Sequence, residues 1–256
     1  MNHCSTALIL SVLVFGGLPV AAKPAPAFIN AAIMDAGRPD ADRQRDAGRK
    51  PAAMLAFAGV KHGSTVVELV PGGGYYTRIL SKAVGPLGHL YAIAPAPRPD
   101  SPASTPDRAA AAKDIATKPG YLNVTVLVQT IKKLELPAQA DLVWTTQNYH
   151  DVHNVPDIDL LSFNQSIYKA LKPGGVYLVS DHTAMSGAPA DVTSTLHRID
   201  PETVKKEVLA AGFQFAGSSD LLKNPEDPHT TPIFDPSIRG KTDQFVLKFI
   251  KPVKAD

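Results

Sequence analysis

The sequence predicts an α/β fold, in which a mostly parallel sheet of seven strands carries helices on both faces and ends in an antiparallel hairpin. Two observations support this prediction. Short β-branched segments alternate along the chain with helical segments, and parallel strands need such crossover helices between them. The last two predicted strands follow one another without a helix, which favours an antiparallel pair.

The size and composition of the chain fit one globular unit. It has 256 residues, of which 44% are hydrophobic and 20% charged, and these are ordinary globular values. We therefore expect residues 28–256 to form a single domain. The formal net charge of +2 excludes a strong field for nucleic acid or anionic lipid, so we expect neither as a partner. Because Cys4 is the only cysteine, disulfides within the domain and cysteine-ligated metals are excluded.

The amino terminus has the pattern of an export signal. Ala7–Leu18 is uncharged and apolar, and small residues and prolines follow it. This pattern predicts a signal peptide over residues 1–27, cleaved after Ala22 or Ala27, and hence a periplasmic or secreted protein. The apolar stretch is short for a membrane span, which needs about 20 residues, although an uncleaved anchor is the alternative.

Local signals place the elements of the first half. Pro51 suits a first helical position and Gly59 a helix end. A polar segment, Asp35–Lys50, precedes this helix, and its basic residues are expected to form a solvated helix face: Arg43, Arg45, Arg49 and Lys50. The other predicted elements are the strand Ser64–Val70, the helix Tyr75–Val84, the strand His89–Ala94, a proline-rich loop over 95–106, the helix Asp107–Thr117 capped by Thr105, and the strand Asn123–Gln129.

Similar signals place the elements of the second half. Asp200 before Pro201 marks a helix start, and Gly212 ends that helix. Leu221–Lys241 is a loop with four prolines, and loops of this length are often functional or mobile. The other predicted elements are the strand Ala140–Thr146, the helix Asp157–Leu171, the strand Val176–Ser180, and the closing strands Phe213–Ser218 and Thr242–Ile250.

A glycine-rich turn, Gly72–Gly74, joins the first strand to its helix. Glycines allow positive φ and a close approach of backbone to ligand, and the helix that follows offers free N–H groups. A dinucleotide site is disfavoured, because Thr77 replaces the third glycine of its fingerprint and Ala94 stands near the position of its acid. A nicotinamide oxidoreductase is therefore a weaker alternative.

Three segments resemble the class I S-adenosylmethionine-dependent methyltransferases. Glu68, Gly72 and Gly74 match the acid and the second and third glycines of that family's first motif, while Val70 replaces the first glycine. The other two segments are Leu171–Val179 and Ala210–Phe213. The resemblance implies a Rossmann-like methyltransferase fold and S-adenosylmethionine as cofactor. The residues it implies for cofactor binding are Glu68, Pro71, Gly72, Gly73, Gly74, Tyr75 and Tyr76.

A narrower resemblance is to a group of exported bacterial proteins, predicted methyltransferases of unknown substrate. It rests on three runs, which are Pro71–Thr77, Asn148–Asp151 and Gly240–Val246. One departure from the wider family matters, because Ala94 stands where an acid usually holds the ribose hydroxyls. Losing that charge-assisted hydrogen bond costs about 1.5–3 kcal/mol. A non-catalytic, methyltransferase-like binding protein of the periplasm is therefore the alternative to an enzyme.

Candidate catalytic residues follow the fourth strand, beside the glycine turn. His150 is the candidate base for a small-molecule acceptor, since imidazole titrates near neutral pH, and Asp151 is the candidate for orienting it. Asn148 and Tyr149 are candidates for positioning the acceptor, although Asn148–Asp151 also suits a polar turn before a helix. Asp181 and His182 could join His150 and Asp151 around a metal, but the ligand pattern of metal-dependent methyltransferases is absent, so no metal is predicted.

Overall fold

The computed structural model describes residues 25–98 and 101–253. Most of the predicted signal peptide, with the cleavage position after Ala22, lies outside the described residues. Ala27, the other cleavage position, is the first residue of a helix. Within the part of the chain that is described, no helix combines the length and apolarity that crossing a bilayer requires.

The seven predicted strands form one sheet. Their bounds are β1 Thr65–Leu69, β2 His89–Pro95, β3 Val124–Gln129, β4 Ala140–Thr146, β5 Leu171–His182, β6 Gln214–Ser219 and β7 Gln244–Ile250. The order across the sheet is β3-β2-β1-β4-β5-β7-β6. Strands β1 to β5 pair in parallel, and β7 is antiparallel to both β5 and β6. The predicted sheet is therefore confirmed, and β1 lies inside it between β2 and β4.

Helices cover both faces of the sheet. Their bounds are α1 Ala27–Ile33, α2 Asp40–Arg43, α3 Asp46–Arg49, α4 Pro51–Ala58, α5 Tyr75–Val84, α6 Ala110–Ala116, α7 Tyr149–His153, α8 Leu160–Ala170, α9 Val192–Thr195 and α10 Pro201–Ala210. One core lies between the sheet and α1, α4, α5 and α6, and includes Ile29, Met54 and Ile79. The second lies between the opposite face and α7, α8 and α10, and includes Phe163 and Val204.

Several elements differ from the sequence-based prediction. The helices α1, α2, α3, α7 and α9 are not predicted by any hydrophobic period. Helix α6 begins at Ala110 and not after the predicted cap Thr105, because the side chain of Asp107 accepts the N–H of Ala109 at 2.8 Å and the chain turns there first. The cap at Asp200 is confirmed, since its carboxylate accepts the N–H of Glu202 at 2.9 Å.

The long loop before β7 packs against the domain. Arg198 is fully buried and bonds the carboxylate of Asp227 through two N–H groups, at 2.8 and 3.0 Å. The loop residues Ile233 and Ile238 are also buried. The loop is thus fixed at the carboxyl-end edge of the sheet, where β5 ends and β7 begins.

Candidate active site

The glycine turn at the end of β1 has three residues with positive φ. Gly72 and Gly74 have φ of 53° and 80°, and Val70 has φ of 54°. A Cβ added at Gly72 or Gly73 would meet nothing within 4 Å, so the backbone there is open to a ligand. A Cβ at Gly74 would lie 2.2 Å from Cδ1 of Ile115. The first two glycines leave room for a ligand, whereas the third leaves room for helix packing.

A cavity of about 220 Å³ lies over this turn, at the carboxyl ends of β1 and β4. Ligands of open α/β sheets bind at this edge. Most of the predicted site residues line the cavity, and these are Glu68, Pro71, Gly72, Gly73, Tyr75, Tyr76, Asn148 and Asp151. Its other lining residues are Arg45, Arg49, Val70, Thr146 and Gln147. Gly74, Tyr149 and His150 were predicted in the site and do not line it.

Glu68 is a buried carboxyl at the floor of the cavity. Its side chain accepts a hydrogen bond from the hydroxyl of Thr77 at 2.5 Å. Burial raises the pKa of Glu68 to about 8, against the opposing effects of Thr77 and of the positive charge on Arg49. Burial therefore favours the neutral form of this carboxyl near pH 7. A cation placed beside it would favour the ionised form.

Arg49 is the main site residue that the sequence did not reveal. The prediction that it belongs to a solvated helix face is wrong, because its guanidinium lies over the Tyr75 ring at 4.7 Å and donates to Oε1 of Gln147 at 2.6 Å. Burial lowers the pKa of Arg49 from its ordinary value, although the group stays charged at neutral pH. Among the described residues, no carboxylate lies within 4 Å of it, so its charge is available to an anion in the cavity.

The two tyrosines after the glycines have structural partners. Tyr75 donates its hydroxyl to Oδ1 of Asp46 at 2.6 Å. Tyr76 packs against Trp144 with ring centroids 4.8 Å apart. Both rings are almost fully buried, so they form a wall of the cavity and do not present an open face for stacking.

The residues after β4 divide between the cavity and the protein interior. The side-chain amide of Asn148 donates to the carbonyl oxygens of Leu69 and Thr146 and so joins the ends of β1 and β4. Asp151 lines the cavity with a half-exposed side chain. Tyr149 is fully buried in the second core, and its hydroxyl bonds Glu207 at 2.9 Å. Tyr149 therefore cannot contact an acceptor in the cavity from this position.

His150 is paired with a residue other than the predicted one. Its Nδ1 lies 2.9 Å from Oδ1 of Asp181, and its backbone N–H donates to the other oxygen of that carboxylate at 2.8 Å. Burial lowers the pKa of His150, but the charge and hydrogen bond of Asp181 outweigh it, so the net shift is upward. The same contact holds the pKa of Asp181 below its ordinary value in spite of burial. Asp181 orients His150, while Asp151 lies beyond its other nitrogen at 3.4 Å.

His182 and His197 also lie near this pair. His182 is buried, which lowers its pKa to about 4, and its Nδ1 is 2.7 Å from the hydroxyl of Thr242. His197 faces Asp151, with Nδ1 of the imidazole 3.9 Å from Oδ1 of the carboxylate. The structure therefore brings His197 to Asp151 and directs His182 elsewhere.

The cavity fits the amino-acid end of S-adenosylmethionine better than its ribose. The open turn at Gly72, the carboxyl of Glu68 and the guanidinium of Arg49 match a ligand with both a carboxylate and an ammonium. A narrow apolar cleft of about 20 Å³ lies between Val70, Ile93 and Leu134, and it has room for about one water molecule and not for an adenine. Ala94 is fully buried, and residues 93–98 of the described chain contain no carboxylate for a ribose.

Comparisons with known proteins agree with this architecture. No protein-family model matches the chain. A curated relative, a protein-L-isoaspartate O-methyltransferase of Ignicoccus hospitalis, is 30% identical over 129 residues, which are 50% of this chain. The chain spans about half the length, 52%, of that relative.

Solved structures cover more of the chain at lower identity. An S-adenosylmethionine-dependent methyltransferase of Aquifex aeolicus matches 83% of this chain and 98% of its own, with a TM-score of 0.55 and 20% identity. A second S-adenosylmethionine-dependent methyltransferase, from Mesorhizobium loti, matches 80% of this chain and 99% of its own, with a TM-score of 0.53 and 15% identity. A glycopeptide N-methyltransferase in complex with S-adenosyl-L-methionine matches 82% of this chain and 87% of its own, with a TM-score of 0.53 and 17% identity. The chain therefore has the class I methyltransferase fold, as predicted.

Proposed function

We propose that the protein is a methyltransferase that uses S-adenosylmethionine and a small-molecule acceptor. The observation that carries the proposal is the cavity over Gly72 and Gly73, which has a buried acid on its floor and an arginine without a carboxylate partner on its wall. The fold supports the same reaction class, and so does the curated relative, of whose length the chain spans about half. The cavity of about 220 Å³ lies below the roughly 300–1,000 Å³ of sites that enclose a whole drug-sized ligand, so it would hold the amino-acid end of the cofactor and not all of it.

Two side chains of the cavity and the start of α5 would hold the cofactor. Arg49 would bind its carboxylate, and the N–H groups at the start of α5 add to that positive field. Glu68 would accept a hydrogen bond from the ammonium of the cofactor. It would become ionised on doing so, since a neighbouring cation favours the charged carboxyl. When bound, S-adenosylmethionine supplies an electrophilic methyl group.

His150 would serve as the base for an oxygen acceptor. Asp181 fixes the imidazole through Nδ1, and Nε2 of the neutral imidazole would take the acceptor's proton through Asp151, because His150 itself is buried and does not line the cavity. Asp151, between Nε2 and the cavity, would position the acceptor. The His150→Ala variant is expected to bind cofactor normally and to lose turnover by about 100-fold or more.

Calorimetry with S-adenosylmethionine and S-adenosylhomocysteine tests the proposal directly. We expect binding by the wild-type protein and at least a 10-fold loss in Gly72→Val, because the new side chain would enter the ligand's space. Gly63→Val is the matched control, since Gly63 also has positive φ, 75°, and open space around it but lies outside the cavity. No binding at millimolar ligand by folded protein, or equal binding by both variants, would contradict the proposal.

We also propose that the protein is exported and cleaved after Ala22. The contacts before α1 favour this position over Ala27, because the N–H groups of Ile29 and Asn30 donate to the carbonyl of Pro26, which cleavage after Ala27 would remove. Expression of the whole chain in a bacterium, fractionation, and mass spectrometry of the amino terminus would test it. Protein that stays in the cytoplasm with an intact amino terminus would contradict both parts.

A further inference from the structure

Two histidines meet one aspartate, Asp151, which lines the cavity. Nε2 of His150 is 3.4 Å from Oδ1 of Asp151, Nδ1 of His197 is 3.9 Å from the same oxygen, and each of the three residues offers a ligand atom within 4.8 Å of the other two. We propose that His150, Asp151 and His197 form a binding site for a divalent metal of the zinc type. Tetrahedral zinc, with bonds of about 2.0–2.1 Å, separates its ligand atoms by roughly 3.4 Å. The distance between His150 and Asp151 already matches this separation, whereas the ligand atom of His197 would have to move closer by up to about 1.4 Å.

The environment of His150 prepares its Nε2 for a metal. The carboxylate of Asp181 can only accept at Nδ1, so Nδ1 carries a proton, and Nε2 has a lone pair whenever the imidazole is neutral. Asp181 is fully buried and also accepts the backbone N–H groups of His150 and His182, both at 2.8 Å. A carboxylate that holds the far nitrogen of a ligating histidine in this way fixes the ring and strengthens the ligand.

The backbone around His197 is held in an unfavourable conformation. His197 has φ of 55°, and a non-glycine residue in this region costs about 1–3 kcal/mol. The two residues that follow it keep it there, since Arg198 is bonded to Asp227 and Ile199 pairs with Thr183. The imidazole packs edge-on against Phe234, with centroids 4.9 Å apart. Strain maintained by a rigid support is typical of a functional position.

The composition and exposure of the cluster suit a catalytic type of metal site. Two imidazoles and one carboxylate favour zinc, iron, nickel or copper over magnesium or calcium. Asp151 is 50% exposed and also lines the cavity, so a fourth position would face the acceptor space. His182 is a poorer ligand here because its Nδ1 already contacts Thr242.

This inference deepens the proposed function and rests on it only for the use of the metal. One lone pair on Nε2 of His150 can hold either a proton or a metal ion. In the metal-loaded protein, an acceptor hydroxyl bound at the fourth position would release its proton to solvent water more readily, as zinc-bound water does with a pKa of about 7. His150 would then act as a ligand and no longer as the base.

Titration of the untagged, chelator-treated protein with zinc chloride tests the site without any methyl donor. We expect one zinc ion per chain, with affinity lowered at least 10-fold in His197→Ala and in Asp151→Asn. Asp181→Asn, which removes no ligand, should lower it by about 10–100-fold. His153→Gln is the control, because His153 lies on the same helix α7 but contacts Glu207 at 3.1 Å, away from the cluster.

Cobalt(II) provides a second readout. The wild-type protein and His153→Gln should show visible absorption bands of a low-symmetry cobalt site, and His197→Ala should not. Unchanged zinc affinity in both His197→Ala and Asp151→Asn, each with a normal unfolding transition, would overturn the proposal. Binding of S-adenosylmethionine in chelator is measured separately, so a failed metal site with intact cofactor binding removes only this inference.

Discussion

The buried carboxyl of Glu68 makes stability depend on pH in a direction unusual for an acid. Its pKa is about 8 in the folded protein because of burial, against about 4.5 without it. The folded state therefore binds this proton more tightly than the unfolded state does. The stabilising contribution is complete below about pH 4.5 and is lost as the pH rises through about 8.

Glu68→Gln isolates this effect, since glutamine keeps the size and can still accept from Thr77. We expect the variant and the wild type to have similar free energies of unfolding near pH 5. The variant should become the more stable of the two as the pH approaches about 9. Urea unfolding at several pH values measures the difference in free energy of unfolding between the two proteins. The other titrating groups are shared by both proteins, so their contributions cancel in this difference. A difference that does not change between pH 5 and 9 would contradict the assigned pKa.

The residues of the site were predictable only where the signal is local. The glycine turn and Glu68 lie within seven residues, and their motif is visible in the sequence. Arg49 contacts Gln147 across 98 positions, and no periodicity marks either residue. Asp151 was predicted to orient His150, but the imidazole contacts Asp181, because the sequence does not show which strand end faces it.

At the level of elements, strands were easier to predict than short helices. Six strands were predicted to within two residues at each end, whereas β5 begins five residues earlier than predicted, at Leu171. The parallel strands β1, β3 and β4 were marked by β-branched runs, which suit strands covered on both faces. Helices α2, α3 and α7 have only four or five residues and too few turns for a hydrophobic period. Such helices depend on tertiary contacts, such as the two N–H bonds of Arg38 to Asp46.

The contact between α5 and α6 depends on Gly74. Gly74→Ala should destabilise the protein by about 1–2 kcal/mol through its φ of 80°, and further because the Cβ would overlap with Ile115. Gly63→Ala has the same kind of φ and nothing within 4 Å, so it measures the backbone contribution alone. Denaturant unfolding of the two variants gives the packing contribution as their difference.

Ile115→Val provides the check on that reason. Removing Cδ1 should relieve the overlap. Gly74→Ala should therefore lower the free energy of unfolding by less in the Ile115→Val background than in the wild type. Equal costs in both backgrounds, or equal costs at Gly63 and Gly74, would show that the side chain of Ile115 is not the reason for a glycine at position 74.

For the whole molecule, the amino-terminal segment over residues 25–50 is expected to be part of the domain that carries the site. Ile29 is fully buried in the first core, beside α4 and α5. Asp42 and Asp46 tie the segment to α5 through Arg78 at 2.9 Å and Tyr75 at 2.6 Å. The same segment supplies Arg49 to the cavity, so fold and site should be lost together.

Comparing chains of residues 25–256 and 51–256 tests this expectation. Removing the segment exposes the core around α5, and a single buried residue such as Ile29 is worth about 2–5 kcal/mol against a total stability of about 5–15. The shorter chain should therefore lose its cooperative thermal transition, whereas the longer one should keep it. If residues 51–256 melt within a few degrees of the longer chain, the segment is an appendage, and the single-domain prediction for residues 28–256 is wrong.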